Sequence, residues 1–177
     1  MSNEQLWAPW RLAYILGESG AAQPCDCEKL LSGADAECFL CCAAPEGEDR
    51  KRLVIARGVH TLTVLNRYPY NNGHLLVAPL RHCAQLSELD DALQLELLQT
   101  ISRMVGVLER VMKPQGFNIG LNIGRAAGAG VPGHLHWHIV PRWTGDTNFM
   151  PTIAGVHTIP QSLEALWELL TAELQNR

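Results

Sequence analysis

The chain has 177 residues, 47% of them hydrophobic and 18% charged, with a formal net charge of −4. This is ordinary globular composition, long enough for one well-buried domain with or without extensions, and its mild acidity makes no global electrostatic case for nucleic acid or an anionic membrane, so any phosphate site has to be local. No stretch reaches the ~18 consecutive apolar residues of a membrane helix, and Met1–Trp10 lacks a basic region followed by an apolar run, so the expectation is a soluble, cytoplasmic protein without an export signal.

Residues 1–16 mix aromatic side chains with Arg11 and close on Leu12-Ala13-Tyr14-Ile15-Leu16, a short helix or an arm that packs on another surface. Residues 17–37 are rich in Gly, Ala, Ser and Cys and read as loop, so 1–37 is an N-terminal arm; residues 45–52 are charged and read as another loop. Thr61–Leu65 alternates and is rich in β-branched residues, and His74–Pro79 is a nearly continuous apolar run closed by proline. The turn between them, Tyr68-Pro69-Tyr70-Asn71-Asn72-Gly73, has strong breaker chemistry, which predicts an antiparallel pair. Leu86–Asp90 opens a helix, with Ser87 as cap, Asp90 completing a capping box and Leu86 as staple. Leu89, Leu93, Leu97, Ile101, Val105, Leu108 and Met112 then form one buried stripe, ended by Pro114 and Gly116. Phe117–Ile123 is a third strand with small or polar residues on one face, followed by a Gly/Ala loop, Gly124–Gly133, and a histidine-bearing strand. Residues 142–160 are irregular, and Ser162–Leu174 is a final amphipathic helix. The order predicts a single α+β domain over 1–177, a mainly antiparallel sheet with one long and one C-terminal helix, the arm 1–37 and a C-terminal extension 142–177.

The histidine strand reads Gly133-His134-Leu135-His136-Trp137-His138-Ile139-Val140-Pro141. Alternate strand residues share a face, roughly 6.6 Å apart, so His134, His136 and His138 are expected as a row of imidazoles on one face, backed by an apolar one. A cluster of surface or satisfied core histidines is the bland alternative, disfavoured because three of only 7 histidines fall here in strict alternation. Imidazole can attack phosphorus and carry the phosphoryl group, and a second histidine can hold nonbridging oxygens or deliver a proton. The glycine-rich turn before the row leaves backbone N–H groups that can cradle phosphate. Together these features point to phosphoryl or nucleotidyl transfer.

The six cysteines are Cys25, Cys27, Cys38, Cys41, Cys42 and Cys83. In a reducing compartment such a cluster is expected to bind metal or stay free rather than cross-link. Cys38-Phe39-Leu40-Cys41 has the spacing of one zinc hairpin; His82, after the strand ending at Pro79, and His134 would complete a Cys2His2 set. The alternatives are a pair of buried thiols or a redox pair, the latter lacking a βαβ context. Cys25, Cys27 and Cys42 are competing ligands or bystanders.

His134–Val140, HLHWHIV, resembles the signature of the histidine triad (HIT) superfamily, in which three histidines alternate with apolar residues. Asn66-Arg67-Tyr68-Pro69 with Gly73–Pro79 resembles that family's first nucleotide-binding hairpin, and Asn122-Ile123-Gly124 with Ala127-Gly128 resembles its NxGxxAG segment, so that the likeness covers residues 38–142. Trp7-Ala8-Pro9-Trp10-Arg11 and Pro141–Met150 are similar to the bacterial branch that includes diadenosine tetraphosphate phosphorylases.

The resemblance implies the HIT fold and a set of roles. His136 is the nucleophile at an α-phosphorus, with its other ring nitrogen held by the His134 backbone carbonyl. His138 contacts the α-phosphate, and His74 is the family's fourth active-site histidine. Asn66 lies where the family contacts a ribose hydroxyl, and Asn122 where an amide meets the phosphate or leaving group. In zinc-bearing relatives the ligands fall at Cys38, Cys41, His82 and His134, and four protein ligands leave no open position, making the zinc structural. Members are usually homodimers. One departure stands out: the loop from Asn122 to His134 is about one residue longer than in the common short members, and no Gln or hydroxyl lies between Gly128 and Gly133. Backbone amides at Gly128 and Gly130, or Arg125 and Arg142, are the substitutes, and both arginines read equally as surface charges. His157 approaches the site or sits in an exposed loop. The expected substrate is a nucleotide conjugate or dinucleoside polyphosphate, with water or inorganic phosphate as acceptor. The rivals are an AMP-phosphoramidate-type hydrolase, a nucleotide-binding regulatory module with incidental catalysis, and a purely structural zinc protein.

Overall fold

The computed structural model describes residues 30–146 and 159–176. Most of the expected arm, with Cys25 and Cys27, and His157 lie outside the described residues. Within them run α1 (Phe39–Ala43), α2 (Asp49–Arg52), β1 (Val54–Arg57), β2 (Thr61–Leu65), β3 (Leu75–Pro79), α3 (Asp91–Met112), β4 (Gly116–Leu121), β5 (Trp137–Arg142) and α4 (Leu163–Gln175). The strands form one sheet in the order β1-β2-β3-β5-β4, every pair antiparallel. The fold is α+β, with one long helix and a helix at the C-terminus, as the residue pattern predicts.

One sheet face is covered by α3 and α4. Leu65, Leu75, Val77 and Ile139 of the sheet pack there with Leu93, Leu97, Met104, Leu108, Leu166 and Leu170 of the helices. Each such side chain contributes about 1.5–3 kcal/mol by leaving water. The other face is covered at β1–β3 by α1, where Val54, Leu62, Val64, Leu76 and Ala78 meet Cys38, Leu40 and Cys41. At β4–β5 that second face carries no such cover among the described residues. His138 stands opposite Leu76 on β3 and Gly120 on β4. The polar face expected for the third strand, Asn118 and Gly120, thus lies beside His138, because directly paired residues share a face.

Three expectations are corrected. The long helix starts at Asp91, not at Ser87, and its cap is Asp90, whose Oδ1 accepts the Leu93 N–H at 2.8 Å. Leu86–Glu88 is a separate 3-10 turn, because the Glu88 carboxylate reaches back to the N–H groups of Ala84 and Gln85 at 2.9 and 2.7 Å. Residues 45–52 are not all loop, and α1, α2 and β1 were not expected; elements of four or five residues carry too little periodicity to read. The third correction concerns the histidine strand: β5 begins at Trp137, so His134 and His136 precede the ladder and only His138 is paired in it.

Candidate active site and metal centre

The entry to β5 lies outside the ladder. Leu135 N–H donates to the Cys83 carbonyl at 2.8 Å rather than to a neighbouring strand. This turns the expected row of three imidazoles into two groups. His134 points under the sheet toward the cysteines; His136 and His138 face one another, with ring centroids 5.1 Å apart.

His136 Nδ1 lies 2.7 Å from the His134 carbonyl oxygen. A carbonyl only accepts, so Nδ1 carries the proton and Nε2 keeps its lone pair. Burial holds His136 below the usual histidine range, opposed by that hydrogen bond. The ring is therefore neutral at pH 7, with one nitrogen oriented and the other nucleophilic.

A second chain of bonds sets His74 and His138. Tyr70 N–H donates to His74 Nδ1 at 3.1 Å, and the Asn66 amide Nδ2 lies 3.3 Å from the same atom. His74 Nδ1 is thus an acceptor, its proton sits on Nε2, and Nε2 donates to His138 Nδ1 at 2.9 Å. Neutral His138 then carries its own proton on Nε2, a donor suited to a phosphoryl oxygen. The Tyr70 ring stacks on both, 4.7 Å from His74 and 5.7 Å from His138.

The donor atoms of Cys38, Cys41, His82 and His134 all lie within 4.8 Å of one another. His134 Nδ1 is 3.3 Å from Cys38 Sγ and 3.5 Å from Cys41 Sγ, and His82 Nδ1 is 3.2 Å from Cys41 Sγ. A tetrahedral zinc ion, with Zn–S about 2.3 Å and Zn–N about 2.0–2.1 Å, holds sulfur and nitrogen ligands about 3.5 Å apart. The tautomer fits as well. His134 Nε2 donates to the Pro79 carbonyl at 2.9 Å, leaving Nδ1 as a lone pair aimed at the sulfurs. Burial pushes the Cys38 thiol up to about 12 and His134 down to about 4. A cation would reverse the thiol penalty, since a coordinating thiol is deprotonated. Gly133 is the backbone's concession to this centre: a Cβ there would stand 3.1 Å from His82 Nε2. Cys42 is disulfide-bonded, against the expectation of uncross-linked cysteines, while Cys38, Cys41 and Cys83 are free.

The remaining expected contacts are distributed differently. The His134 side chain belongs to the cysteine cluster, and only its carbonyl serves His136. Arg142 binds Asp146 through two nitrogens, at 2.6 and 3.0 Å, and Asn118 Oδ1 at 2.7 Å. Its guanidinium makes these bonds while the side chain stays 46% exposed. Gly128, at φ 83°, closes the 3-10 turn Arg125–Ala127, and its N–H goes to the Arg125 carbonyl at 2.9 Å. Gly130 and Arg125 are exposed and Asn122 is half-buried. Tyr70, the Pro79 carbonyl and Gly133 were missed from the sequence. Only the turn chemistry around Tyr70 hinted at a fixed backbone there.

The HIT domain family model matches residues 47–145. A Mycobacterium tuberculosis protein named AP-4-A phosphorylase is 40% identical over 170 residues, 96% of this chain and 84% of that protein. Among solved structures, a zinc-bound histidine triad family protein from Mycobacterium smegmatis aligns with a TM-score of 0.57 at 25% identity, covering 70% of this chain and 84% of its own. A hypothetical histidine triad nucleotide-binding protein from Sulfolobus tokodaii aligns with a TM-score of 0.62 at 26% identity, covering 78% and 93%. No helix among the described residues is long and apolar enough to cross a membrane.

Proposed function

The chain is an enzyme of the HIT domain family, and on that premise we propose that it splits dinucleoside polyphosphates at an α-phosphate through a nucleotidyl-histidine on His136. The observation that carries this is the 2.7 Å bond from His136 Nδ1 to the His134 carbonyl. It leaves Nε2 unprotonated, buried and aimed, which is what an imidazole nucleophile needs. Nε2 attacks the α-phosphorus, the N–P bond forms, and the bridging P–O bond to the rest of the polyphosphate breaks. His138 Nε2–H donates to a nonbridging oxygen as charge builds there. His74 holds His138 in that tautomer. Inorganic phosphate then attacks the same phosphorus and frees His136.

Asn66 serves the ribose and Asn122, with the Gly130 amide, the phosphate side. The 40% identity to a protein named AP-4-A phosphorylase supports diadenosine tetraphosphate as substrate and phosphate as acceptor. Zinc in the Cys38–Cys41–His82–His134 cluster would be structural, supplying a rigid tetrahedral tie and no open position. The reading includes one domain over 1–177 and a homodimer in the cytoplasm. β4 is an edge strand among the described residues, and with Ile119 at 48% and nearby Ile123 at 49% exposure it supports a second copy adding to the sheet. No nucleic acid or membrane partner is part of it.

The test is turnover of diadenosine tetraphosphate with and without inorganic phosphate, products separated by chromatography. ADP and ATP formed only with phosphate is the expected result. AMP and ATP without phosphate makes water the acceptor. Cleavage of an AMP phosphoramidate alone transfers the reading to a general nucleotidyl hydrolase, and binding without turnover to a regulatory module.

A further inference from the structure

We propose that Asn71 and Asp146 form a clamp that positions the His74–His138 pair and selects its tautomer; the inference rests on the reading of that pair as part of the active site. Neither residue touches the imidazoles' ring nitrogens in the bonds described above. They lie in the turn Tyr68–Gly73 and in the stretch after β5, and neither has been given a part in the phosphate chemistry.

The turn from Asn66 to His74 has no ladder of its own, yet it must hold the Tyr70 N–H on His74 Nδ1. Asn71 ties it to β5. Its Nδ2 donates to the Pro141 carbonyl at 3.1 Å and to Asp146 Oδ2 at 2.8 Å. Its own carbonyl accepts the His74 N–H at 3.3 Å. The Asp146 side chain is only 8% exposed, and a carboxylate taken from water must be paired and hydrogen-bonded. It is: beyond Asn71 it accepts from Arg142 Nε and Nη2 and from Trp143 N–H at 3.1 Å. Arg142 in turn reaches Asn118 on β4. One carboxylate therefore locks the turn before His74 to the strand that carries His138.

The tautomer follows from the lock. If the turn tilts and the Tyr70 N–H and the Asn66 amide that opens the same turn both withdraw, His74 Nδ1 is free to take the proton. Nε2 then becomes an acceptor, and His138 must donate through Nδ1. That leaves His138 Nε2 as a bare lone pair facing the substrate, repelling a phosphoryl oxygen it should stabilise. A shift of the turn thus exchanges a donor for an acceptor at the reacting phosphate.

The test compares full-length wild type with Asn71→Ala, by long-range proton–nitrogen NMR of the imidazoles at pH 8, with kcat and KM on diadenosine tetraphosphate. Wild type should show His74 and His138 both protonated on Nε2. The variant should show both rings moved toward a tautomer mixture, with kcat lowered about 100-fold and KM within about 3-fold. Should Asn71→Ala not fold, the same spectra are taken on Asp146→Asn, which keeps the shape and removes the charge. Unchanged ring signals in a folded variant, whatever happens to kcat, overturn the clamp. The spectra need no substrate, so this outcome is separate from failure of the proposed reaction.

Discussion

His134 and His138 lie four residues apart, yet one aims a ring lone pair at two thiols and the other carries its proton on the far nitrogen from His74. The difference is made by what each ring nitrogen touches. His134 is 1% exposed among two thiols and the Pro79 carbonyl, which fixes its lone pair inward. His138 is half-buried beside His74, whose own proton forces the His138 proton onto Nε2. His136 is the seam, held by the backbone of one and facing the ring of the other. Identical imidazoles acquire opposite chemistry from their neighbours.

The seam is where the comparison breaks most sharply. His136→Asn should lower turnover by about 10⁴-fold or more while folding and nucleotide affinity persist, read by single-turnover kinetics and calorimetry. Survival of activity would move the nucleophile elsewhere. The metal half is isolated next. Chelation, or Cys41→Ser, should lower the thermal midpoint by about 10 °C, with restoration by zinc after chelation only. Scanning calorimetry with metal analysis checks it, and an unmoved midpoint would make the four donors a thiol–imidazole cluster without an ion. On the outer half, His74→Ala removes a buried ring and the partner that sets His138. We expect kcat down about 100-fold and stability down about 2–4 kcal/mol, by kinetics and urea titration. The smallest effect is a control remote from both halves. Asp90→Ala should cost about 1 kcal/mol, or about 2–4 °C, with kcat unchanged.

Legibility followed distance along the chain. Of the five histidines and two cysteines of the two centres, Cys38, Cys41 and the His134–His138 triad were readable because their types are scarce and their spacings regular, His82 completed the ligand set, and His74 was named only through the family resemblance. The helix stripe was readable too, although Ile101 and Leu108 share the buried face with Met104 and Val107 more than with Val105. The cap was misplaced by three residues because Ser87 and Asp90 both satisfy the same local pattern, and only Glu88's turn back to Ala84 and Gln85 decides between them. That Arg142 pairs with Asp146, four residues on, was not legible, because nothing local shows it.

By itself the sequence determined the order of β2 to β5 and of the two longer helices, the apolar face of the long helix and the identities of the groups that can do chemistry, since these depend on residue type and short periods. Tertiary structure alone decided where the ladder of β5 begins, that His134 turns inward while His136 and His138 do not, and that Asn71 meets Asp146 across 75 residues of chain. The physical reason is that a tautomer or a ligand lone pair is set by the atom at the end of a hydrogen bond. That atom is brought there by packing of distant segments, not by the residues next in line.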